Sequence, residues 1–223
     1  MDKLRWIVFA VLTVGVLALL VIFSGDDNID VSSVDENKLL TGSEQSGNIG
    51  DHSLGNPDSS VILVEYGDFQ CPGCRSADSR IKSIVTEYEE DIVFIFRNLP
   101  LSSIHPNALA ASSAAEAAAL QGQFWQMNSL LFENQTSWAN QSSSERIDTF
   151  ASYADNLGLD VDEFRNDIVS DEVAQKIRFD MALASKVGAD STPTFILNGD
   201  KLEQDVWGDD DKLREALDEA IAQ

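Results

Sequence analysis

The chain contains two cysteines, and they stand together as Cys71-Pro72-Gly73-Cys74. Two thiols at this spacing can carry two electrons if one is a nucleophile and the other can reach the bond it makes. They follow an apolar run, Val61-Ile62-Leu63-Val64, and open a pattern in which Ile81, Ile84, Val85 and Tyr88 recur at helical steps. Pro72 suits the first helical turn, where its missing N–H leaves no bond unmade. A helix N-terminus offers unpaired N–H groups and a partial positive charge, which favour a thiolate at Cys71 and draw its pKa to about 3.5–7.5. Cys71 is thus the expected nucleophile. Cys74, one turn further in, is the expected resolving thiol that attacks a mixed disulfide at Cys71 and releases the partner.

Three other readings compete. A zinc site needs four ligands, yet there is no second cysteine pair, and His52 and His105 lie in an expected linker and beside Pro106 without ligand spacing. No metal and no cofactor is expected. A purely structural disulfide would close so short a loop that it removes little unfolded-state entropy. An unrelated helix start leaves Thr192-Pro193-Thr194 unexplained. A proline directly ahead of a strand is awkward unless its peptide bond is cis, which turns the chain sharply and can present the preceding backbone to a substrate.

The elements that must position these residues can be read in outline. Residues 61–64 and 92–96 are buried-strand runs flanking the helix of Cys71, which makes a βαβ unit. Residues 107–119 are dominated by Ala, and Phe124, Met127, Leu130 and Leu131 continue at helical spacing. Further helices are predicted over 148–157, 162–169 and 172–187. Residues 194–197 are strand-like, Asn198-Gly199 signals a hairpin, residues 201–204 can pair back, and a last helix over 210–222 turns Leu213, Leu217 and Ala220 inward.

Composition sets the outer limits. With 43% hydrophobic residues the chain can build a core, and a net charge of -23 repels phosphate backbones, so nucleic acid is not an expected partner. Residues 6–23 carry no charge, Lys3 and Arg5 precede them, and Asp26, Asp27 and Asp30 follow. That stretch is either a spanning helix or a signal peptide, and its apolar run to Phe23 with no small-x-small cleavage site favours an uncleaved membrane anchor over 6–23 in the lipid bilayer, with residues 1–5 cytoplasmic and the rest of the chain on the extracytoplasmic side. Residues 24–54, rich in Ser, Gly, Asp and Asn, are read as a flexible linker, and residues 55–223 as the folded domain.

Several stretches together resemble the DsbA-like family: Gly55-Asn56-Pro57, residues 65–74, Leu99-Pro100-Leu101, His105-Pro106-Asn107-Ala108, Gln121-Gly122-Gln123-Phe124-Trp125 and Thr192-Pro193-Thr194-Phe195. They run in order over residues 55–222. The resemblance implies an α/β thioredoxin-like fold with an inserted α-helical domain at about 105–187, and a cis bond before Pro193. It implies a thiol–disulfide oxidoreductase that introduces disulfides into exported proteins and is reoxidised by a membrane redox partner. Relatives also serve as reductases or isomerases, and a tethered, non-catalytic peptide-binding module is the rival class. The spacer here is Pro72-Gly73, so a relative's redox potential does not transfer. Some relatives carry extra cysteines in the helical domain, where this chain has Ala117 and Asn166. The resemblance also places Glu65 as a buried acid beneath the motif, able to relay a proton to Cys74; the alternative is a solvated strand-end charge. Asp68 and Gln70 are read as ordinary loop polarity, with shaping of the surface around the motif as the alternative, His105 as a turn residue rather than a catalyst, and Phe124, Trp125 and Met127 as helical-domain core rather than a peptide groove. Asn134-Gln135-Thr136 and Asn140-Gln141-Ser142 match the glycosylation pattern as chance does.

Overall fold

A computed structural model of the chain describes residues 29–223, so the expected anchor at 6–23 and the N-terminus at 1–5 lie outside the described residues. Among the described residues no helix is long and apolar enough to cross a membrane. The strands are β1 (His52–Gly55), β2 (Val61–Gly67), β3 (Ile92–Asn98), β4 (Thr194–Leu197) and β5 (Asp200–Lys201), and the sheet order is β1-β3-β2-β4-β5. Helix α1 (Pro72–Glu87) joins β2 to β3, which pair in parallel, while the other neighbours are antiparallel. Between β3 and β4 lie α2 (Ala108–Leu120), α3 (Phe124–Glu133), α4 (Gln135–Trp138), α5 (Ser143–Asn156), α6 (Val161–Asp167) and α7 (Asp171–Lys186). Helices α8 (Gln204–Trp207) and α9 (Asp210–Ile221) close the chain.

The central strands are apolar on both faces because both are covered. Leu63, Phe94, Phe195 and Leu197 meet Ala77, Ile81 and Ile84 of α1 and Leu213 and Leu217 of α9. On the other face Val64, Tyr66, Val93, Ile95 and Ile196 meet Phe179, Leu183 and Ala184 of α7. The alanines of α2 are small enough to let Met127, Leu131, Phe150 and Phe164 of three helices close around Trp138. The α5 helix starts five residues before the predicted 148 because Ser142 and Glu145 form a capping box.

The linker expected at 24–54 is corrected by the described part of it. Val31, together with the half-buried Ile29, Val34, Leu39 and Leu40, packs on the α7 side of the sheet, and Ile49 packs on Val173 and Ile177. His52–Gly55 adds an edge strand to β3, with His52 opposite Phe96. These apolar residues carry no helix or strand period, because each is placed by a tertiary contact rather than by its neighbours in sequence. The folded unit therefore takes in residues ahead of 55.

Candidate active site

Cys71 is the N-cap of α1, extended at φ -69° and ψ 124°, with Pro72 in the first turn. The Cys71 residue is 8% exposed, whereas Cys74 is fully buried one turn along. Both cysteines are free thiols in this structure. Cys71 Sγ lies 3.3 Å from the Thr192 carbonyl, to which it donates when protonated, and the Thr192-Pro193 peptide bond is cis. A Cβ added at Gly73 would stand 3.1 Å from Pro193 Cδ, so the glycine lets the proline loop close over the motif. Thr192 and Pro193, separated from the cysteines by more than a hundred residues, are thus brought against Cys71 and Gly73.

The two thiols are set far apart in acidity. A hydrogen bond from the Cys74 thiol draws the Cys71 pKa down to about 5; burial opposes it, and the Cys74 and Gly73 amide N–H groups assist. Burial pushes Cys74 well above 9.0, helped by its bond to Cys71 and by the charge of Glu65. The Asp68 N–H donates to Cys74 Sγ at 3.4 Å.

Glu65 lies on β2 at 3% exposure, which rules out the solvated strand-end placement. Burial pushes its pKa up to about 8, aided by the charge of Asp78 and opposed by Lys82 and by a hydrogen bond with Cys74. Its Oε1 has no hydrogen-bond partner. Gly67 leaves the room this carboxyl occupies, since a Cβ there would stand 2.4 Å from the Phe96 ring and 3.2 Å from Glu65 Oε1.

Loop polarity next to the motif proves specific, a correction to the sequence reading of Asp68 and Gln70. The fully buried Asp68 accepts from Gln70 N–H at 2.7 Å and Leu101 N–H at 2.9 Å, and His105 Nδ1 lies 2.7 Å from its Oδ2. Gln70 accepts from Asn107 N–H at 2.6 Å and donates to the Ala139 carbonyl at 2.9 Å. Gln135 of α4 donates to the carbonyls of Phe69 at 2.8 Å and Cys71 at 3.0 Å. The helical insertion therefore grips the backbone that presents Cys71. His105 remains a turn residue, now with a buried carboxylate beside it. Phe124 and Met127 are core, and Trp125 reaches back to donate to the Ser53 carbonyl of β1 at 2.9 Å. Beside the motif a cavity of about 400 Å³ is lined by Gly73, Thr192, Pro193, Lys201, Leu202 and Trp207.

Comparison with known proteins agrees with this architecture. Residues 47–219 match a family model described as thioredoxin. Over 151 residues the chain is 37% identical to the Na(+)/H(+) antiporter NhaA 1 of Mycobacterium sp. (strain KMS), covering 67% of this chain and 24% of that protein. The chain spans about a quarter of the length of the curated relatives it matches. Among solved structures, oxidised BdbD from Bacillus subtilis superposes with a TM-score of 0.66 at 22% identity, covering 84% of this chain and 100% of that one. A thioredoxin-like oxidoreductase from Silicibacter pomeroyi superposes with a TM-score of 0.59 at 26% identity, covering 78% and 93%. The chain belongs to the thioredoxin family.

Proposed function

We propose that the chain is a thiol–disulfide oxidoreductase that works outside the cytoplasm as an oxidant of exported proteins, with Cys71 and Cys74 as its redox couple. One observation carries this reading: within a single motif, Cys71 is drawn down to about 5 while Cys74 is pushed well above 9.0. A thiolate that is stable at neutral pH stabilises the reduced form, and a couple whose reduced form is stabilised is an oxidant.

The steps follow from the geometry. A substrate thiolate attacks Cys71 Sγ of the disulfide; a substrate–Cys71 bond forms, the Cys71–Cys74 bond breaks, and its electron pair leaves on Cys74. Glu65, protonated below about pH 8, passes its proton to that sulfur. A second substrate thiolate attacks its own sulfur in the mixed disulfide, and Cys71 departs as the stabilised thiolate. The substrate has lost two electrons and the couple has gained them. Thr192 and Pro193 border the reacting sulfur, where an extended substrate backbone can be aligned. A membrane redox partner would restore the disulfide. The uncharged residues 6–23 behind Lys3 and Arg5 support single-pass anchoring in the cell membrane, with this domain extracytoplasmic.

The test uses the oxidised full chain and a reduced, unfolded protein carrying two thiols. The expected result is stoichiometric transfer of the disulfide, lost in Cys71→Ser; reduced Cys74→Ser offered the disulfide-bearing form of the same substrate should instead accumulate mixed disulfides on Cys71. Transfer that survives Cys71→Ser, or a couple that stays oxidised beside a large excess of substrate thiol, would overturn it. A potential as low as about -270 mV, that of a dedicated reductant, would reverse the direction.

A further inference from the structure

The chain carries a net charge of -23, yet the segments that frame Cys71 are free of acids. Residues 69–77 hold the motif, residues 99–115 reach Asp68 through the Leu101 N–H and the His105 ring, and residues 134–144 reach Gln70 and Cys71 through the Ala139 carbonyl and the Gln135 amide. None of the three stretches contains Asp or Glu. Cations show the converse pattern. Most lysines and arginines among the described residues pair with a carboxylate, as Arg80 does with Asp210 and Arg214 with Glu87. Arg75, Arg146, Arg178 and Lys201 have no such partner among the described residues, and all but Arg178 border the motif.

Arg75 is exposed one turn beyond Cys71, to whose carbonyl its N–H donates at 3.1 Å. Arg146 Nη1 donates to Asn107 Oδ1 at 2.6 Å, and the Asn107 N–H in turn donates to Gln70, the residue before Cys71. The acids nearest this side are already engaged: Asp68 is fully buried with its oxygens bonded inward, and Glu145 closes the capping box with Ser142. Two large apolar side chains are exposed on the same side, Ile104 at 66% in the loop that meets Asp68 and Leu109 at 48% in the first turn of α2. Across the motif Lys201 lines the cavity at Pro193, but Glu203 lines it too and Asp190 stands on the proline loop, so that side has no excess of positive charge. A guanidinium without a carboxylate of its own can take one bidentately from a partner. A basic segment would find no acid on this face and would be drawn instead to Glu87–Asp91 or Asp209–Asp211.

We propose that Arg75 and Arg146, together with Ile104 and Leu109, form a docking face for acidic, unfolded stretches of the polypeptides whose thiols Cys71 oxidises, a role that rests on the oxidant reading above. Carboxylates flanking a substrate cysteine pair with the two arginines, and neighbouring apolar side chains cover Ile104 and Leu109. The acid-free frame spares such a segment the repulsion it meets over the rest of the surface, within a screening length of about 10 Å. The arginines thus set which cysteines are met, while the chemistry at Cys71 is the same for every substrate.

The experiment follows oxidation of two-thiol peptides by the oxidised full chain in uncharged detergent micelles. One peptide carries Glu and the other Lys beside its cysteines, and the proteins are wild type, Arg75→Gln, Arg146→Gln and Arg178→Gln. Arg178, exposed on α7 and bonded to Gln175, makes the same change of net charge away from the motif. Each variant is compared with wild type on the same peptide, which cancels the effect of the flanking charges on the peptide's own thiols. Arg75→Gln and Arg146→Gln should each lower the rate constant for the acidic peptide about threefold at low salt without lowering that for the basic one. The differences should close in about 1 M salt, and Arg178→Gln should change neither rate. If Arg146→Gln fails to fold through loss of its bond to Asn107, Arg75→Gln decides. An equal change for both peptides, or a preference shifted as much by Arg178→Gln, would overturn the docking face while leaving the oxidant role in place. Phosphatidylglycerol added to the micelles should not alter the preference; its loss would assign the arginines to lipid headgroups and would also overturn the proposal. A wild type that oxidises neither peptide would instead remove the reading on which the face rests.

Discussion

Acids are buried on both faces of the same sheet, and Asp51 and Glu116 on one face are held in the charge state opposite to that of Glu65 on the other. Around Arg97, on the α7 face, Asp51 Oδ2 lies 2.8 Å from the guanidinium, and the same group donates to the carbonyls of Glu36 at 2.8 Å and Lys38 at 3.1 Å. Lys176 lies 2.7 Å from Asp180 and 3.4 Å from Asp51, and Glu116 is met by Asn98 at 2.6 Å and His52 at 2.8 Å. Burial alone would raise Asp51 and Glu116, yet Arg97 and Lys176 hold the first below its ordinary value and His52 and Lys176 the second, while at Asp180 burial outweighs Lys176 and the carboxyl stays raised. On the α1 face Glu65 is buried as deeply, has an unpartnered oxygen and is pushed up to about 8. Depth is common to both; the supply of donors differs. A carboxylate with donors and cations around it is fixed as a charge and holds the fold together, whereas one without them keeps a proton it can give away.

The largest test of this contrast is Arg97→Met. It should leave Asp51 buried with Lys176, 3.4 Å away, as its remaining cation, and cost about 4 kcal/mol, read as a lower urea midpoint. The exchange rate per folded molecule should be unchanged; a mild loss of stability would mean the α7 cluster is not tightly paired.

Glu65→Gln should act in the opposite sense on stability. Glu65 loses its proton near 4.5 when unfolded and near 8 when folded, so the folded state binds the extra proton in between. The stability of the reduced wild type should therefore fall as pH rises through that window, by about 3 kcal/mol relative to Glu65→Gln between pH 4.5 and 7. Parallel pH curves for the two proteins would contradict an uncharged Glu65.

A smaller effect separates proton transfer from packing. Glu65→Gln should slow resolution by Cys74 about tenfold while formation of the mixed disulfide on Cys71 changes little. Equal slowing of both steps would make Glu65 a packing residue. At the bottom of the scale, Lys212→Ala removes an exposed pair with Asp205, 2.9 Å long at side-chain exposures of 49% and 71%. Its unfolding midpoint should match the wild type, since water screens what burial amplifies.

What was legible in the sequence was local or periodic. The strand-to-helix step at Cys71, the proline at the first turn and the apolar runs of β2 and β3 each follow from a few adjacent residues. Thr192-Pro193 could be singled out because a proline before a strand breaks a local rule. Glu65 was reachable only by family resemblance, as nothing in its neighbours states how deeply β2 is covered. Residues 29–55 and the cluster of Arg97, Lys176 and Glu116 were hidden because their partners are separated by up to 152 residues. Gln135 was hidden for the same reason: one amide from the insertion holds the Cys71 carbonyl across 64 residues. Asp68 and Gln70 looked like solvated loop residues because polarity in a loop is ordinary, and only the fold shows that these two face inward.

The whole exchange cycle turns on Cys71 being held as a thiolate at neutral pH by the helix end and Cys74. The direct measurement is a pH titration of thiolate ultraviolet absorbance in the reduced full chain, with Cys71→Ser as its reference. A single step near pH 5 is expected, absent in Cys71→Ser, with no contribution from Cys74 until well above 9.0. A first step at about 8.5, the value of an unperturbed thiol, would contradict it.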